Sequence, residues 1–173
     1  AGSRRNIYAH YDLGNDFFSL FLDPTMAYSS GVFRTPGDTL EAAQLEKFRQ
    51  WGERLAPRAC DHVLEIGSGW GGLAMHLART YGCRVTSITV SAEQHAMATA
   101  RVAAAGLADL VRIELRDYRH IEGQYSRIVS VEMIEAVGRE FWPDFFKAVD
   151  RALAPGGRVG LQAITMPDGR FDG

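Results

Sequence analysis

The chain has 173 residues, of which 46% are hydrophobic and 23% charged, and its formal net charge of -2 leaves no basic footprint for a nucleic-acid partner. Cys60 and Cys83 have neither the number nor the neighbours for a disulfide framework or a metal site, so a reducing cytoplasmic setting is expected. No apolar run approaches the roughly 18 residues of a membrane span, so any membrane contact is predicted to be peripheral.

Residues 1–57 are predicted to form a helical leader. Apolar residues recur at helical spacing up to Asp23, where Asp-Pro ends the helix. A second helix is predicted from an N-cap at Asp38, with Glu41 completing a capping box, to about Leu55. The leucines and phenylalanines of these helices are expected to face the core: Leu13, Phe17, Leu20 and Phe21 in the first, and Leu40, Leu45, Phe48 and Leu55 in the second.

Residues 58–173 alternate between buried strands and amphipathic helices. Strands are predicted at 62–66, 84–90, 111–116, 126–132 and 158–164. A helix at about 139–153 is expected to bury Trp142, Phe145, Phe146, Val149 and Leu153. This alternation predicts an α/β fold of the Rossmann-like type, a mostly parallel sheet with helices on both faces. Because such sheets usually continue further, the C-terminal strands and part of a substrate site are expected to lie beyond Gly173.

The glycine loop EIGSGWGG follows the first of these strands. Its Gly67, Gly69 and Gly72 have the spacing of a nucleotide-binding loop, in which bare backbone lets a cofactor approach closely. A dinucleotide site expects a carboxylate at the tip of the second strand, yet that tip offers Thr89. Glu65 precedes the loop and can either reach a cofactor's amino-acid end or hold the loop amides. The loop suits either a dinucleotide or S-adenosylmethionine (SAM), and the missing carboxylate weighs against the dinucleotide.

The pattern E-x-G-x-G-x-G, followed by Asp117-Tyr118 at the tip of the third strand, resembles class I SAM-dependent methyltransferases. Four longer segments, HYDLGNDFFSLFLDPTMAYSSGVF (10–33), VLEIGSGWGGLAMHLA (63–78), VTSITVSAEQ (85–94) and RIVSVEMIEAVG (127–138), resemble the cyclopropane-fatty-acyl-phospholipid synthase family. The similarity covers nearly the whole chain. The leader segment is the specific part, because generic methyltransferases share the glycine loop but not the leader.

The resemblance implies a role for each matching residue. Tyr28 and Ser29 would close over the methionine carboxylate of SAM, and Gly67 and Gly69 would form the loop beneath it. Thr89 and Gln94 would take the ribose, and Asp117 and Tyr118 would border the adenine. Glu135 would help to hold a bicarbonate ion that serves as the base.

Two positions depart from the family pattern at the bicarbonate site. Ser30 stands where the best-matched members have cysteine, and Gln162 stands where they have histidine. Both side chains can hydrogen-bond an anion, so Ser30, Glu135 and Gln162 are the predicted catalytic group. The altered pair leaves open whether the product is a cyclopropane or a methyl-branched chain.

The predicted reaction is methyl or methylene transfer to the double bond of an unsaturated fatty acyl chain, with a membrane phospholipid approached at the inner membrane surface. Small-molecule N-methylation and a SAM-binding module without catalysis remain as alternatives. Packing is favoured over an acyl channel for Phe17, Phe18 and Phe21, and packing is also expected for Trp70. His10 and Tyr11 are open between packing and function.

Overall fold

A computed structural model describes residues 14–170, so the predictions for His10, Tyr11 and Leu13 fall outside the described residues. The helices are α1 (Gly14–Ser19), α2 (Leu40–Leu55), α3 (Gly72–Tyr81), α4 (Ala92–Ala104) and α5 (Trp142–Ala152). The strands are β1 (His62–Ile66), β2 (Arg84–Thr89), β3 (Val111–Leu115), β4 (Tyr125–Val131) and β5 (Leu153–Gln162). Within this range no helix is long and apolar enough to cross a bilayer.

The strands form one sheet in the order β3-β2-β1-β4-β5, with every neighbouring pair parallel. The predicted parallel sheet is therefore confirmed. β1 lies at the centre, where Leu64 is in register with Thr86 of β2 and Ile128 of β4. Because the carboxyl ends of parallel strands share one edge, the segments that follow β1, β2 and β4 come together there.

Both faces of the sheet are buried, so the four residues of β1 from Val63 to Ile66 are all buried, Glu65 included. Val63 packs on one face with Phe48, Trp51 and residues of α3 and α4, whereas Leu64 packs on the other face with Phe145 of α5. A third cluster joins Phe18, Met26 and Trp70, which places the leader against the glycine loop.

The predicted N-cap of α2 is wrong by one residue, and its predicted buried face is right for Phe48 and Leu55 but wrong for Leu40 and Leu45. Its N-cap is Thr39, whose Oγ1 accepts the backbone N–H of Ala42 at 3.1 Å, while the Asp38 carboxylate binds the preceding turn instead. Leu40 and Leu45 are 36% and 44% exposed. The buried stripe follows positions 44, 47, 48, 51 and 55, so the predicted Phe48 and Leu55 lie on it, but a search for apolar residues alone misses the polar Gln44 and Lys47.

The buried faces predicted for α1 and α5 are also wrong in part, because several of their aromatic side chains are exposed. In α5, Phe145 is 1% exposed, but Trp142 and Phe146 are 40% and 49% exposed. Phe146 lies about 100° around the helix from Phe145 and so points away from the sheet. In α1 only Phe18 is core, because Phe17, Leu20 and Phe21 are exposed. β5 begins earlier than predicted, with an irregular register between Leu153 and Arg158.

Candidate active site

A pocket opens at the carboxyl edge of the sheet, between the glycine loop and the segment that follows α1. Its walls are formed by residues from the ends of β1, β2 and β4 and from the leader. The predicted site residues that line it are Tyr28, Ser29, Glu65, Gly67, Gly69, Thr89, Gln94 and Tyr118. The sheet edge and the leader thus bring together residues that are up to 90 positions apart in the chain.

The loop has four glycines, and the three of the predicted spacing are required for different reasons. Gly67 has φ +97°, and a Cβ there would lie 3.1 Å from the Met133 side chain. Gly69 has φ +47°, and a Cβ there would meet no protein atom within 4 Å, so it would project into open space. Gly72 belongs to packing, because its Cβ would lie 2.7 Å from the carbonyl oxygen of Thr25. Only Gly69 therefore keeps free space for a ligand.

Glu65 is a buried carboxylate at the root of the pocket. It is 4% exposed, and Ser87, its register partner on β2, donates a hydrogen bond to Oε2. Burial raises the pKa of Glu65 to about 8, and the Ser87 hydrogen bond lowers it only in part. The amides of Gly67 and Ser68 donate to the carbonyl of Ile88 rather than to Glu65. The geometry thus favours a carboxylate directed to a ligand over one that holds these loop amides.

A closed hydrogen-bond network shapes the turn between β2 and α4. The hydroxyl of Thr89 donates to Gln94 Oε1 at 2.8 Å and accepts the Ser91 N–H at 3.1 Å. Ser91 caps α4 by accepting the Gln94 N–H at 3.2 Å. The Gln94 oxygen is therefore satisfied within the protein, which leaves its amide N–H groups as the donors available to a ligand.

The leader contributes Tyr28 and Ser29 to the opposite wall. Lys47 of α2 donates from Nζ to Ser29 Oγ at 2.5 Å, and Gln44 donates to the Ser29 carbonyl at 2.7 Å. Lys47 is only 2% exposed, and burial lowers its pKa to about 8 despite the opposing charges of Glu132 and Asp23. The buried polar residues of α2 therefore fix the position of the Tyr28–Ser29 segment within the leader.

Arg101 of α4 ties the leader to the glycine loop. Its guanidinium donates to the carbonyls of Pro24, Thr25 and Trp70 at 2.7, 3.1 and 2.8 Å. Trp70 also donates from Nε1 to Asn15 Oδ1 at 2.6 Å, so its predicted packing role is accompanied by a polar contact. These contacts seat the leader beside the pocket.

We expect Arg101→Met to lower the affinity for SAM about tenfold, because the leader loses the two charge-assisted hydrogen bonds at Pro24 and Thr25, and the glycine loop loses the one at Trp70, that together hold the leader at the pocket. Titration calorimetry measures the change. Arg79→Met on the exposed end of α3 is the matched control. Equal affinities for the two variants would contradict a role of Arg101 in seating the leader.

Of the predicted pair Asp117 and Tyr118, after the third strand, only Tyr118 lines the pocket. Tyr118 lines the pocket and packs edge-on against Phe145 at 5.4 Å between ring centroids. Asp117 does not line it, because its carboxylate binds Arg119 through two side-chain hydrogen bonds of 2.9 and 2.6 Å. Those bonds hold the pKa of Asp117 below its usual range.

Ser30 and Gln162 do meet, but around Glu132 rather than around Glu135. Ser30 donates to Glu132 from its backbone N–H and its hydroxyl, and Gln162 donates from Nε2 at 2.7 Å. Glu135 is exposed and accepts the Ile164 N–H at 2.5 Å. The predicted group of Ser30, Glu135 and Gln162 is therefore not assembled in this structure, and Glu132 takes the central place.

The fold and this pocket define a class I methyltransferase architecture, in which an open parallel sheet presents a glycine loop and polar strand tips to one ligand. Sequence comparison then gives the family: residues 2–171 match the mycolic acid cyclopropane synthetase family, and the chain belongs to it. The predicted resemblance is confirmed.

Individual relatives agree with that membership. The chain is 49% identical over 176 residues to the tuberculostearic acid methyltransferase UfaA1 of Mycobacterium tuberculosis, covering 98% of this chain and 41% of the relative. It is 47% identical over 155 residues to the cyclopropane-fatty-acyl-phospholipid synthase of Escherichia coli K12, covering 90% of this chain and 39% of the relative. The chain thus spans about two fifths of the length of these relatives.

Solved structures share the fold. The mycolic acid cyclopropane synthase CmaA1, complexed with SAH and CTAB, aligns with a TM-score of 0.82 and 33% identity over 87% of this chain and 53% of that chain. The cyclopropane synthase MmaA2 of Mycobacterium tuberculosis aligns with a TM-score of 0.87 and 32% identity, covering 91% of this chain and 55% of that chain.

Proposed function

We propose that the protein is a SAM-dependent methyltransferase that transfers a methyl or methylene group to the double bond of an unsaturated fatty acyl chain. The observation that carries this proposal is the pocket, where the open cradle of Gly69 and the buried Glu65 adjoin a wall of aromatic leader residues. Family membership supports the reaction class.

The pocket residues fit SAM rather than a dinucleotide. Glu65 offers a carboxylate with one donor, Ser87, and it lines the pocket, which suits a cationic group at the amino-acid end of the cofactor. Gln94 offers amide donors where a ribose would lie, and Tyr118 offers an aromatic face for the adenine. We assign Tyr28 and Ser29 to the methionine end, as the family resemblance implies.

SAM supplies an electrophilic methyl group whose departure leaves a neutral thioether. Since an alkene is a weak nucleophile, the protein must contribute positioning and exclusion of water. The leader, seated by Arg101 and Lys47, covers one side of the pocket for this purpose. Transfer to a double bond leaves a cation on the acyl chain, and the ring of Tyr28 in the pocket wall is suited to stabilise it.

The acyl chain is proposed to enter beside α1. Apolar side chains are exposed on this part of the leader, and Tyr28 joins them to the pocket through ring contacts with Phe18 and Phe21. These exposed residues are Phe17, Leu20, Phe21, Tyr28 and Phe33. Such a patch fits peripheral contact with membrane phospholipid, in the manner of other apolar surfaces that bind lipid.

The full-length protein incubated with methyl-labelled SAM and unsaturated phospholipid vesicles is expected to place the label in the lipid fraction. Saturated phospholipid is the matched control, because it lacks the double bond but presents the same surface. Label in both lipids would contradict addition to a double bond. Label in small amines alone would instead favour an N-methyltransferase, and tight SAM binding without any methylated acceptor would favour a non-catalytic module.

A further inference from the structure

Glu132 occupies the centre of the polar cluster at the end of β4. Its carboxylate accepts the Ser30 N–H at 3.1 and 3.2 Å, the Ser30 hydroxyl at 2.5 Å and the Gln162 amide at 2.7 Å. Glu132 also lines the same pocket as Gly67, Gly69 and Tyr28. The carboxylate therefore combines contact with the pocket and a built set of donors.

The donor set is fixed from behind by α2. Trp51 donates from Nε1 to Gln162 Oε1 at 3.2 Å, so the Gln162 amide nitrogen is the group turned to Glu132. Gly160 of β5 permits this approach, because a Cβ there would lie 2.2 Å from the Trp51 ring. The orientation of Gln162 follows from packing of the helix on the sheet.

The backbone of Glu132 has a conformation that is unfavourable for any residue with a side chain. Its φ is +49°, in the left-handed region, which is strained for a residue other than glycine. Such strain persists only where surrounding contacts enforce it. The donors from Ser30 and Gln162, together with the Glu132 N–H bond to the Gln162 carbonyl at 2.8 Å, supply those contacts.

A bicarbonate ion does not fit this donor set. Ser30 and Gln162, which the sequence predicts as its ligands, already donate to Glu132, and a second anion there would face a carboxylate. We propose that Glu132 itself is the base of the reaction, in place of bicarbonate. This assignment rests on the proposed function.

The proposed step balances without a further reactant. A carbon of the acyl double bond uses its π electrons to bond the incoming methyl carbon, and the neighbouring acyl carbon becomes cationic. Glu132 then accepts one proton from the added methyl or from an adjacent carbon. If the proton leaves the added methyl, the released C–H electron pair closes a cyclopropane ring. If it leaves an adjacent carbon, the pair forms a carbon–carbon double bond. In both cases the carboxylate of Glu132 becomes a carboxylic acid.

The electrostatics keep Glu132 available as a base at neutral pH. Burial favours a higher pKa, but hydrogen bonds from Ser30 and Gln162 and the charge of Lys47 outweigh it and hold the pKa below its usual range. A weak base is sufficient here, because a carbon-centred cation gives up a neighbouring proton readily.

Two variants of the full-length protein test the assignment. Glu132→Gln keeps the shape of the side chain but cannot accept the proton at a carboxylate, so turnover on unsaturated phospholipid is expected to fall about 100-fold or more. SAM affinity by calorimetry is expected to stay within about threefold, which also shows that the fold is kept. Glu132→Gly suits φ +49° and vacates the carboxylate position, so added formate or bicarbonate is expected to restore turnover about tenfold.

The wild-type protein is expected to turn over equally with and without added bicarbonate. Wild-type turnover that disappears in carbonate-free buffer would overturn the assignment, as would normal turnover by Glu132→Gln. Wild-type protein that labels no unsaturated lipid would overturn the proposed function instead. The two failures are therefore distinguishable.

Discussion

Replacing Gly69 by leucine is expected to lower the affinity for SAM at least about 100-fold, which is about 2.8 kcal/mol. A side chain at this position would project into space that the protein leaves open, because a Cβ there meets no protein atom within 4 Å. The substitution therefore competes with the ligand rather than with the core. Titration calorimetry with SAM measures the loss directly.

Gly106→Leu is the matched control for Gly69→Leu. Gly106 also has a left-handed φ, +67°, and open space around its Cβ position, but it lies after α4 and does not line the pocket. Both variants carry the same kind of backbone strain, about 1–2 kcal/mol. Gly106→Leu should retain SAM binding. Similar losses in both variants would show that strain, not cofactor space, explains the result.

Glu65→Gln is expected to have two opposite effects. SAM affinity falls about 10- to 100-fold, because glutamine cannot ionise to pair with the cationic end of the ligand as a glutamate can. The unliganded protein gains stability at alkaline pH, since the wild-type carboxylate is 4% exposed and unfavourable when ionised there. Calorimetry measures the first effect, and thermal unfolding at a series of pH values measures the second.

The contribution of Glu65 to the stability of the wild-type protein decreases as the pH rises. The pKa of Glu65 rises from 4.5 to about 8 on folding, so the folded state binds its proton more tightly than the unfolded state. The contribution of this group to stability is full below pH 4.5 and is lost as pH rises through 8, at about 1.4 kcal/mol per unit of difference in pKa. The stability advantage of the Gln variant should grow between these limits and then level off.

Glu41→Gln, on the exposed first turn of α2, is the control for Glu65→Gln. It removes the same charge where no burial or ligand contact is involved, so neither SAM affinity nor the alkaline stability should change appreciably. A Glu65→Gln protein whose stability relative to wild type is constant from pH 5 to pH 9 would contradict a buried, proton-binding Glu65.

The fold could be predicted from sequence because its signals are local. The strand patterns and the helices between them are each recognised within a few residues, and the structure confirms the parallel sheet that their alternation indicates. The faces of α2 and α5 were predicted less well. Gln44 and Lys47 are buried because they bind Ser29, which is 15 and 18 residues away in the chain. Hydrophobicity alone gives no sign of these contacts.

The candidate site shows the same division. The glycine loop, Thr89 and Gln94 could be found because they lie at predicted strand ends. Arg101 and Lys47 were missed, since an arginine or lysine on a helix normally indicates a solvated surface. Glu132 was not in the predicted catalytic group, which had Glu135 in its place. Its contact with Ser30 joins positions 102 residues apart, which no spacing rule within one sequence detects.

The central claim is that this pocket binds SAM and directs its methyl group to an acyl double bond. Mass spectrometry of lipids from a host that expresses the wild-type protein or Gly69→Leu tests it most directly. The wild-type protein should convert unsaturated acyl chains to chains heavier by one CH2 unit, and Gly69→Leu should not. Identical lipid profiles in the two hosts and in a host without the protein would contradict the claim.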